Sequence, residues 1–475
     1  MTTAVASDPT QATGRSRPNL RFWIATTGFA LIGLGIRIGA VVGRPHRSLG
    51  GDAYYFHDAA NLLAGGHGFI DPFYFYGHHL HWQIQTASWP PLFVWTLASA
   101  AVVGFKSYFA QRIWAGIIGA AAVVVCAMAG REIAGRRVGA IVALIIAIYP
   151  NIWMSDEPAL SETLTPLLVG LVLWSAYRFW KRPSIKRVAV LSLCLAVAAL
   201  GRDELTSLFI LLLLPMCLLA RKTAWRQRFI LVGASALVAI VVIGPWVGYN
   251  MSRFSKPVYV SDGLGVTLAS ADCGPTWSSG PLEGFWDIHC SLAVKLPKVH
   301  PGADESIGAT DEENAAVKFI KHHLDRVVPV ALAKLGRGFG FFRPVQQVKL
   351  DIFFEVRPYH WAFVGLWSYY GLLALSVPGL IVLVRRRITP LPLVAVTLAV
   401  MATMVIAFGD TRYRTPFEVV IAILAAVAVD GLWNAVRRRP PQPVMPASPE
   451  PAPTPEPGPD RRPEPDSEPV GAPSV

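Results

Sequence analysis

Charge is what this sequence has least of. Only 16% of its 475 residues are Asp, Glu, Lys or Arg, whereas 53% are hydrophobic and the mean hydropathy is +0.43. Soluble domains carry roughly 25% charged residues, so the deficit excludes a chain that faces water over most of its surface and points to a membrane protein. Acidic residues are scarcer than basic ones, 31 against 43, for a formal charge of +12. In a soluble protein that excess would raise nucleic acid as a partner. Here the basic residues fall in short clusters between apolar runs, as the positive-inside rule describes, and no nucleic-acid partner is expected. A cleavable signal is also missing. The first apolar run follows a polar stretch with Arg15, Arg17 and Arg21 and no small-residue cleavage site, so the first helix is expected to stay as an anchor. Cysteines number five: Cys126, Cys194 and Cys217 lie in apolar runs as small hydrophobes, and Cys273 and Cys290 lie in a polar loop, where a disulfide requires that loop to face an oxidising compartment.

Eleven apolar segments are present, over 22–43, 90–105, 113–130, 138–153, 164–180, 188–200, 205–220, 229–249, 361–384, 391–408 and 417–436. Several fall below the ~20 residues that cross a bilayer upright, so charge must arbitrate. Basic clusters at Arg15/Arg17/Arg21, Arg131/Arg136/Arg137, Lys181/Arg182/Lys186/Arg187, Arg221/Lys222/Arg226/Arg228, Arg385 to Arg387 and Arg437 to Arg439 mark the cytoplasm. An even number of crossings must separate successive clusters. Only the first interval breaks parity, and 90–105, short and opened by Pro90-Pro91, is read as interfacial or re-entrant. The expectation is an all-α polytopic membrane protein of about ten spanning helices with juxtamembrane helices in its outer loops. It comprises a cytoplasmic tail over 1–21, a membrane domain over 22–436 with outer loops 44–89 and 250–360, and a disordered Pro-rich tail over 437–475.

That topology gathers the polar chemistry on one side. "GGDAYYFHD" places Asp52 just past the first span and Asp58 two helical turns later; Asp52 reads either as a base at the membrane surface or as a helix cap among interfacial aromatics. "MSDEPALSETL" crowds Asp156, Glu157 and Glu162 into one short connection, fit for a divalent cation or a basic group, with Ser161 capping the next helix as the plainer reading. "GRDEL" puts Arg202, Asp203 and Glu204 in a tight hairpin, where Arg202 pairs with Asp203 or meets an anionic lipid head group. "GDTRYRTP" repeats the theme with Asp410, Arg412 and Arg414, and two arginines on the outer side call for a partner such as phosphate. His57, His67, His78, His79 and His81 crowd the first loop but lack the i, i+4 pairing with a carboxylate that marks zinc hydrolases. In the long loop, 311–336 reads as an amphipathic helix lying on the membrane, and the aromatic stretch between Cys273 and Cys290 suits sugar rings or the interface.

The order of these pieces resembles the polytopic C-type (GT-C) glycosyltransferases, in particular bacterial relatives of the protein mannosyltransferases and of the lipid A aminoarabinose transferase. It rests on "GDAYY", "GHGF", "WPPL", "YPNIWMSDEPALSETL", "GRDE" and "RYRTP", spread over 22–436. The resemblance implies transfer of a sugar from a polyprenyl-phosphate donor to an acceptor on the outer face of the cell membrane. It makes Asp52 the base that deprotonates the acceptor hydroxyl, Arg202, Arg412 and Arg414 the holders of the donor phosphate, and Asp156, Glu157 and Glu162 ligands for the acceptor or a divalent metal. Asp52 is followed by Ala53 where the protein mannosyltransferases carry Asp-Glu, so the metal stays open. Two other readings compete: a flippase of lipid-linked sugars, disfavoured because Arg37 beside Gly35-x-x-x-Gly39 is the one clear intramembrane charge, and a non-enzymatic envelope-assembly protein.

Overall fold

The computed structural model describes residues 17–77, 81–220 and 223–437, and their regular structure is helical apart from one isolated bridge between Ile70 and Gln85. The expectations for residues 1–16 and 438–475, and for His78, His79, Arg221 and Lys222, lie outside the described residues. In chain order, α1 (Arg17–Val42) leads into a first loop carrying α2 (Gly51–Ala64) and α3 (Pro91–Val102). Next come α4 (Tyr108–Ala134), α5 (Arg136–Ile148), α6 (Leu164–Lys181), α7 (Ile185–Gly201) and α8 (Trp225–Arg253). The long loop holds α9 (Glu305–His322), α10 (Val327–Gly338) and α11 (Pro344–Glu355), and α12 (Tyr359–Arg385), α13 (Leu391–Ile406) and α14 (Thr415–Arg437) follow.

Five of these helices, within α1, α4, α8, α12 and α14, are long and apolar enough to cross a membrane, at 24 to 29 residues. The other apolar segments are shorter or interrupted, for local reasons. Pro150 lacks an amide hydrogen and pushes Tyr149 into an extended conformation, so α5 breaks before a further turn over Pro150–Trp153. Between α7 and α8 the chain winds as a 3₁₀ turn, a π turn and a short helix ending at Leu218, with Pro215 at the start of that helix. With 12 residues, α3 rises about 18 Å, too little to cross the hydrocarbon upright. One residue reverses the chain between α4 and α5: Gly135, at φ +99°, where a side chain would be strained.

The residues of α14 from Val419 to Val427 are all buried, so this helix runs through the middle of the bundle. By contrast α8 buries only Leu231, Ser235, Trp246 and Asn250 and turns Leu237, Ile240 and Val241 outward. An apolar face this long is a liability in water and the ordinary surface of a helix in lipid.

The connections sort to two ends. At one, Arg412 reaches both Asp52 and Glu162, Arg202 reaches Glu162, Asp203 accepts from Ser261, and the Gly409 amide donates to the Gly284 carbonyl at 2.9 Å. The five connections assigned to the outer side therefore meet one another. At the other end, Arg131 donates to Asn19 and lies over the Phe22 ring, Lys181 pairs with Glu132, and Arg137 and Arg386 share Asp430.

Within the long loop the expected single amphipathic helix is two. It ends at His322 and resumes at Val327 after a 3₁₀ turn, because Pro329 in the first turn of α10 cannot be continued backwards as helix. Cys273 and Cys290 are joined as a disulfide. The aromatic stretch between them is largely packing: Trp277 and Phe285 are buried, and the Trp277 indole donates to Asp272. Closing 17 residues of sequence with a disulfide lowers the entropy of the open chain by about 3 kcal/mol. Cys273→Ser, or reduction, is accordingly expected to speed proteolytic cleavage within 250–360 while the helical bundle stays intact; unchanged cleavage contradicts this.

Candidate active site

Asp52 is the second residue of α2, and Gly50 fills the capping position without a side-chain bond. The capping role is thus not what holds Asp52. Its Oδ2 instead accepts from Arg412 Nη2 at 2.6 Å, a residue 360 positions away. Arg412 sits in a 3₁₀ turn over Thr411–Arg414 that Asp410 caps through the Arg412 amide. Arg412 Nε donates to Glu162 Oε1 at 2.8 Å, and Glu355 Oε1 lies 3.9 Å from the same nitrogen. Glu162 also receives Arg202, at 2.8 Å, and Arg202 further holds Glu204 at 2.7 Å and the Ser161 hydroxyl at 2.9 Å. Ser161 therefore engages Arg202 rather than capping a helix, and Arg202 pairs with Glu204 rather than with Asp203, which turns to Ser261. Burial alone would raise the Glu162 carboxyl, but Arg412 and Arg202 outweigh it and hold the group well below the usual carboxylate range.

Exposure separates the acids. Asp52 and Arg412 keep 26% and 24% of their side chains open, whereas Asp156, Glu157 and Glu162 keep 2% or less. Asp156 is bonded at 2.5 Å to Arg37 of α1, and Glu157 is encircled by Arg44, Arg47 and Arg112. These two carboxylates, read from the sequence as ligands for an acceptor or a metal, are each already neutralised by guanidinium and have no access from solvent. Arg414, read as a phosphate holder, is drawn inward: it bonds Glu418 at 2.8 Å and the Gly338 carbonyl at 3.1 Å and lies 3.7 Å above the Tyr369 ring.

The structure also adds residues that sequence reasoning missed. Arg44 and Arg47 hold Glu157 and the backbone carbonyls of Val356 and Glu355, so the first loop grips the end of α11. There Asp351, Glu355 and Asp410 bring carboxylate oxygens within 4.8 Å of one another, all three buried, with Arg357 paired to Glu355 at 2.6 Å and to Asp351 at 3.7 Å. Burial raises the Glu355 carboxyl to about 8, an effect Arg357 partly offsets and Asp410 adds to; burial likewise lifts Asp410, with Asp351 adding to it. The signal was available: Asp351 and Glu355 are spaced i, i+4 just before a span.

Burial pushes the Asp156 carboxyl up to about 6 despite Arg37. A group whose folded pKa exceeds its unfolded one contributes stability that is complete below the unfolded value and is lost as pH rises through the folded value. For Asp156 that window is about 4 to 6 and the contribution about 3 kcal/mol. Glu162, held low, is charged throughout this range. The thermal midpoint is expected to fall between pH 4.5 and 7, and more shallowly in Asp156→Asn; equal slopes for the two proteins contradict the assignment.

No family model and no curated protein sequence matches the chain. Among solved structures, the archaeal oligosaccharyltransferase AglB from Archaeoglobus fulgidus, in complex with an inhibitory peptide and a dolichol-phosphate, overlays with a TM-score of 0.52 at 15% identity, over 89% of this chain and 51% of its own. The apo form of the Archaeoglobus fulgidus enzyme gives 0.51 at 13% identity, over 88% and 51%. ArnT from Cupriavidus metallidurans bound to undecaprenyl phosphate overlays at 0.38 with 14% identity, over 87% and 78%. This chain spans about half the length of the archaeal enzyme. The likeness is one of fold, and it is the GT-C fold that the order of sequence motifs resembles.

Proposed function

We propose that the protein is a membrane glycosyltransferase that moves a sugar from a polyprenyl-phosphate donor to an acceptor on the extracytoplasmic face of the cell membrane, with Asp52 as general base. The reading places ten crossings between cytoplasmic termini, with the acid–arginine cluster on the outer side. The observation that carries it is the Asp52–Arg412 pair, the part-open member of an otherwise closed network.

The chemistry follows from charge. Asp52 takes the proton of the acceptor hydroxyl as its oxygen bonds to the anomeric carbon, and the bond from that carbon to the phosphate oxygen breaks, the lipid phosphate leaving with the electron pair. Phosphate is a good leaving group and needs no general acid, so the demand on the protein is one base and stabilisation of the departing charge. Arg412 and Arg202 serve that stabilisation, and a donor phosphate competes with Asp52 for Arg412. Donor binding thereby frees the base. Arg414 is bonded to Glu418 inside the bundle, so the reading leaves the donor phosphate to Arg412 and Arg202. Glu162 fixes the two arginines, and Asp156 and Glu157 tie the connection that carries Glu162 to α1, the first loop and α4. An apolar groove of about 610 Å³ lined by Leu63, Phe69, Leu92, Trp95, Trp246 and Tyr249 suits the prenyl chain, and Leu63 shares α2 with Asp52, about 16 Å along the helix.

Protein in liposomes, offered a panel of radiolabelled polyprenyl-phosphate sugars and acceptor lipids or peptides, is expected to yield glycosylated acceptor. Donor crossing the bilayer without transfer supports the flippase instead, and binding without transfer or crossing supports an assembly role.

A further inference from the structure

Asp351, Glu355 and Asp410 form, we propose, a binding site for one hard divalent cation of the Mg²⁺, Mn²⁺ or Ca²⁺ class. The site is separate from the sugar-transfer reading and stands or falls without it. Asp351 and Glu355 are one turn apart on α11 and share a face; the turn before α14 brings Asp410 to them, giving three carboxylate oxygens within 4.8 Å, all buried.

Arg357 is the guanidinium paired with both Glu355 and Asp351, and Arg412 stands 3.9 Å from Glu355 Oε1 while bonded to Glu162 and Asp52. Three buried carboxyl groups thus converge around one committed guanidinium, an arrangement whose oxygens a dication can bind together. A second observation points the same way. Glu355 Oε2 is held by Arg357, but its Oε1, facing the Asp410–Arg412 turn, is buried with no hydrogen-bond partner, on a side chain only 7% exposed. A buried carboxylate oxygen left without a donor is rare and asks for a ligand.

The donor set selects the ion. All three groups offer oxygen, with no cysteine or histidine among them, which suits hard cations rather than zinc or copper. Outer support is in place as well: Gln347 Nε2 donates to Asp351 Oδ1 at 2.9 Å and the Thr411 hydroxyl to Oδ2 at 2.6 Å, fixing that carboxylate's orientation. The Asp156 and Glu157 carboxylates offer nothing comparable, because arginines already neutralise them. A cation bound to Glu355 and Asp410 would join α11 to the turn carrying Arg412 and relieve the pull of Glu355 on that arginine.

The test uses full-length protein in nanodiscs, stripped with chelator and titrated with MnCl₂ under electron paramagnetic resonance, with empty nanodiscs subtracted. One Mn²⁺ per chain is expected. Binding should weaken at least tenfold in Glu355→Gln and in Asp410→Asn and stay unchanged in Asp52→Asn, which separates this site from the proposed base. No protein-dependent Mn²⁺, or equal affinity in wild type and Glu355→Gln, overturns the proposal. Pulsed spectra of the wild type alone are also decisive: an all-oxygen ligand shell supports the site, and histidine nitrogen coupling to the bound ion overturns it.

Discussion

Asp52→Asn is expected to lower sugar transfer by roughly two to four orders of magnitude, the usual contribution of a positioned general base, and to leave donor binding within a few-fold of wild type. Asparagine keeps the size of the side chain and removes its ability to take a proton. It also removes one partner of Arg412, but that pair is about a quarter exposed and Arg412 retains Glu162 at 2.8 Å, so the cost in stability is at most about 1 kcal/mol. A merely structural Asp52 would predict the opposite: a modest loss of stability and little loss of rate. With Arg412 released from Asp52, the donor phosphate meets less competition, so KM should hold or fall while kcat collapses. Transfer within a few-fold of wild type removes Asp52 from the chemistry and shifts attention to other groups around Arg412.

Arg37→Met is expected to cost about 3–5 kcal/mol near neutral pH, because the buried Asp156 loses its partner and must either ionise unpaired or take up a proton to stay in the fold. Asp156 lies at the mouth of the bundle with its carboxyl already raised to about 6 by burial, and loss of Arg37 moves it further up. The defect should therefore shrink at acid pH, where the carboxyl holds its proton, and grow as pH rises. Arg37→Met with Asp156→Leu should recover most of the loss, since removing both charges also removes the cost of burying them. Gly119 is part of the same arrangement: a Cβ there would run into both Asp156 Oδ2 and Arg37 Nε, so Gly119→Ala should act in the same direction. Thermal unfolding in detergent at two pH values reads all four proteins. Equal midpoints for wild type and Arg37→Met would show that the pair carries no stability.

Asp52, Glu162, Arg202 and Arg412 were each visible in the sequence as charges in tight connections beside apolar runs, and the parity of basic clusters was enough to put those connections on one side. Partner choice was not visible. Asp52 and Arg412 meet across 360 positions and Arg37 and Asp156 across 119, and nothing in local spacing separates an acid that meets a guanidinium from one that meets substrate. The sequence reading accordingly spread function over Asp156, which Arg37 of α1 neutralises, and over Glu157, which the arginines of the first loop and of α4 neutralise. It passed over Asp351 and Glu355, which lie beyond the stretch at 311–336 read as a membrane-surface helix, because an i, i+4 acidic pair is ordinarily a solvated face. Helix interruptions such as the one at Pro215 were likewise hidden, since apolar composition alone does not distinguish a straight span from a broken one.

The central claim is that this end of the bundle cleaves a lipid-phosphate sugar. It is tested most directly by following release of polyprenyl phosphate in nanodiscs, where no second compartment exists and transport is silent. The account predicts polyprenyl phosphate and glycosylated acceptor appearing in equal amounts with at least one donor sugar, and neither appearing with Asp52→Asn. Donor that stays intact across the whole panel, while the same preparation binds it, would contradict the account.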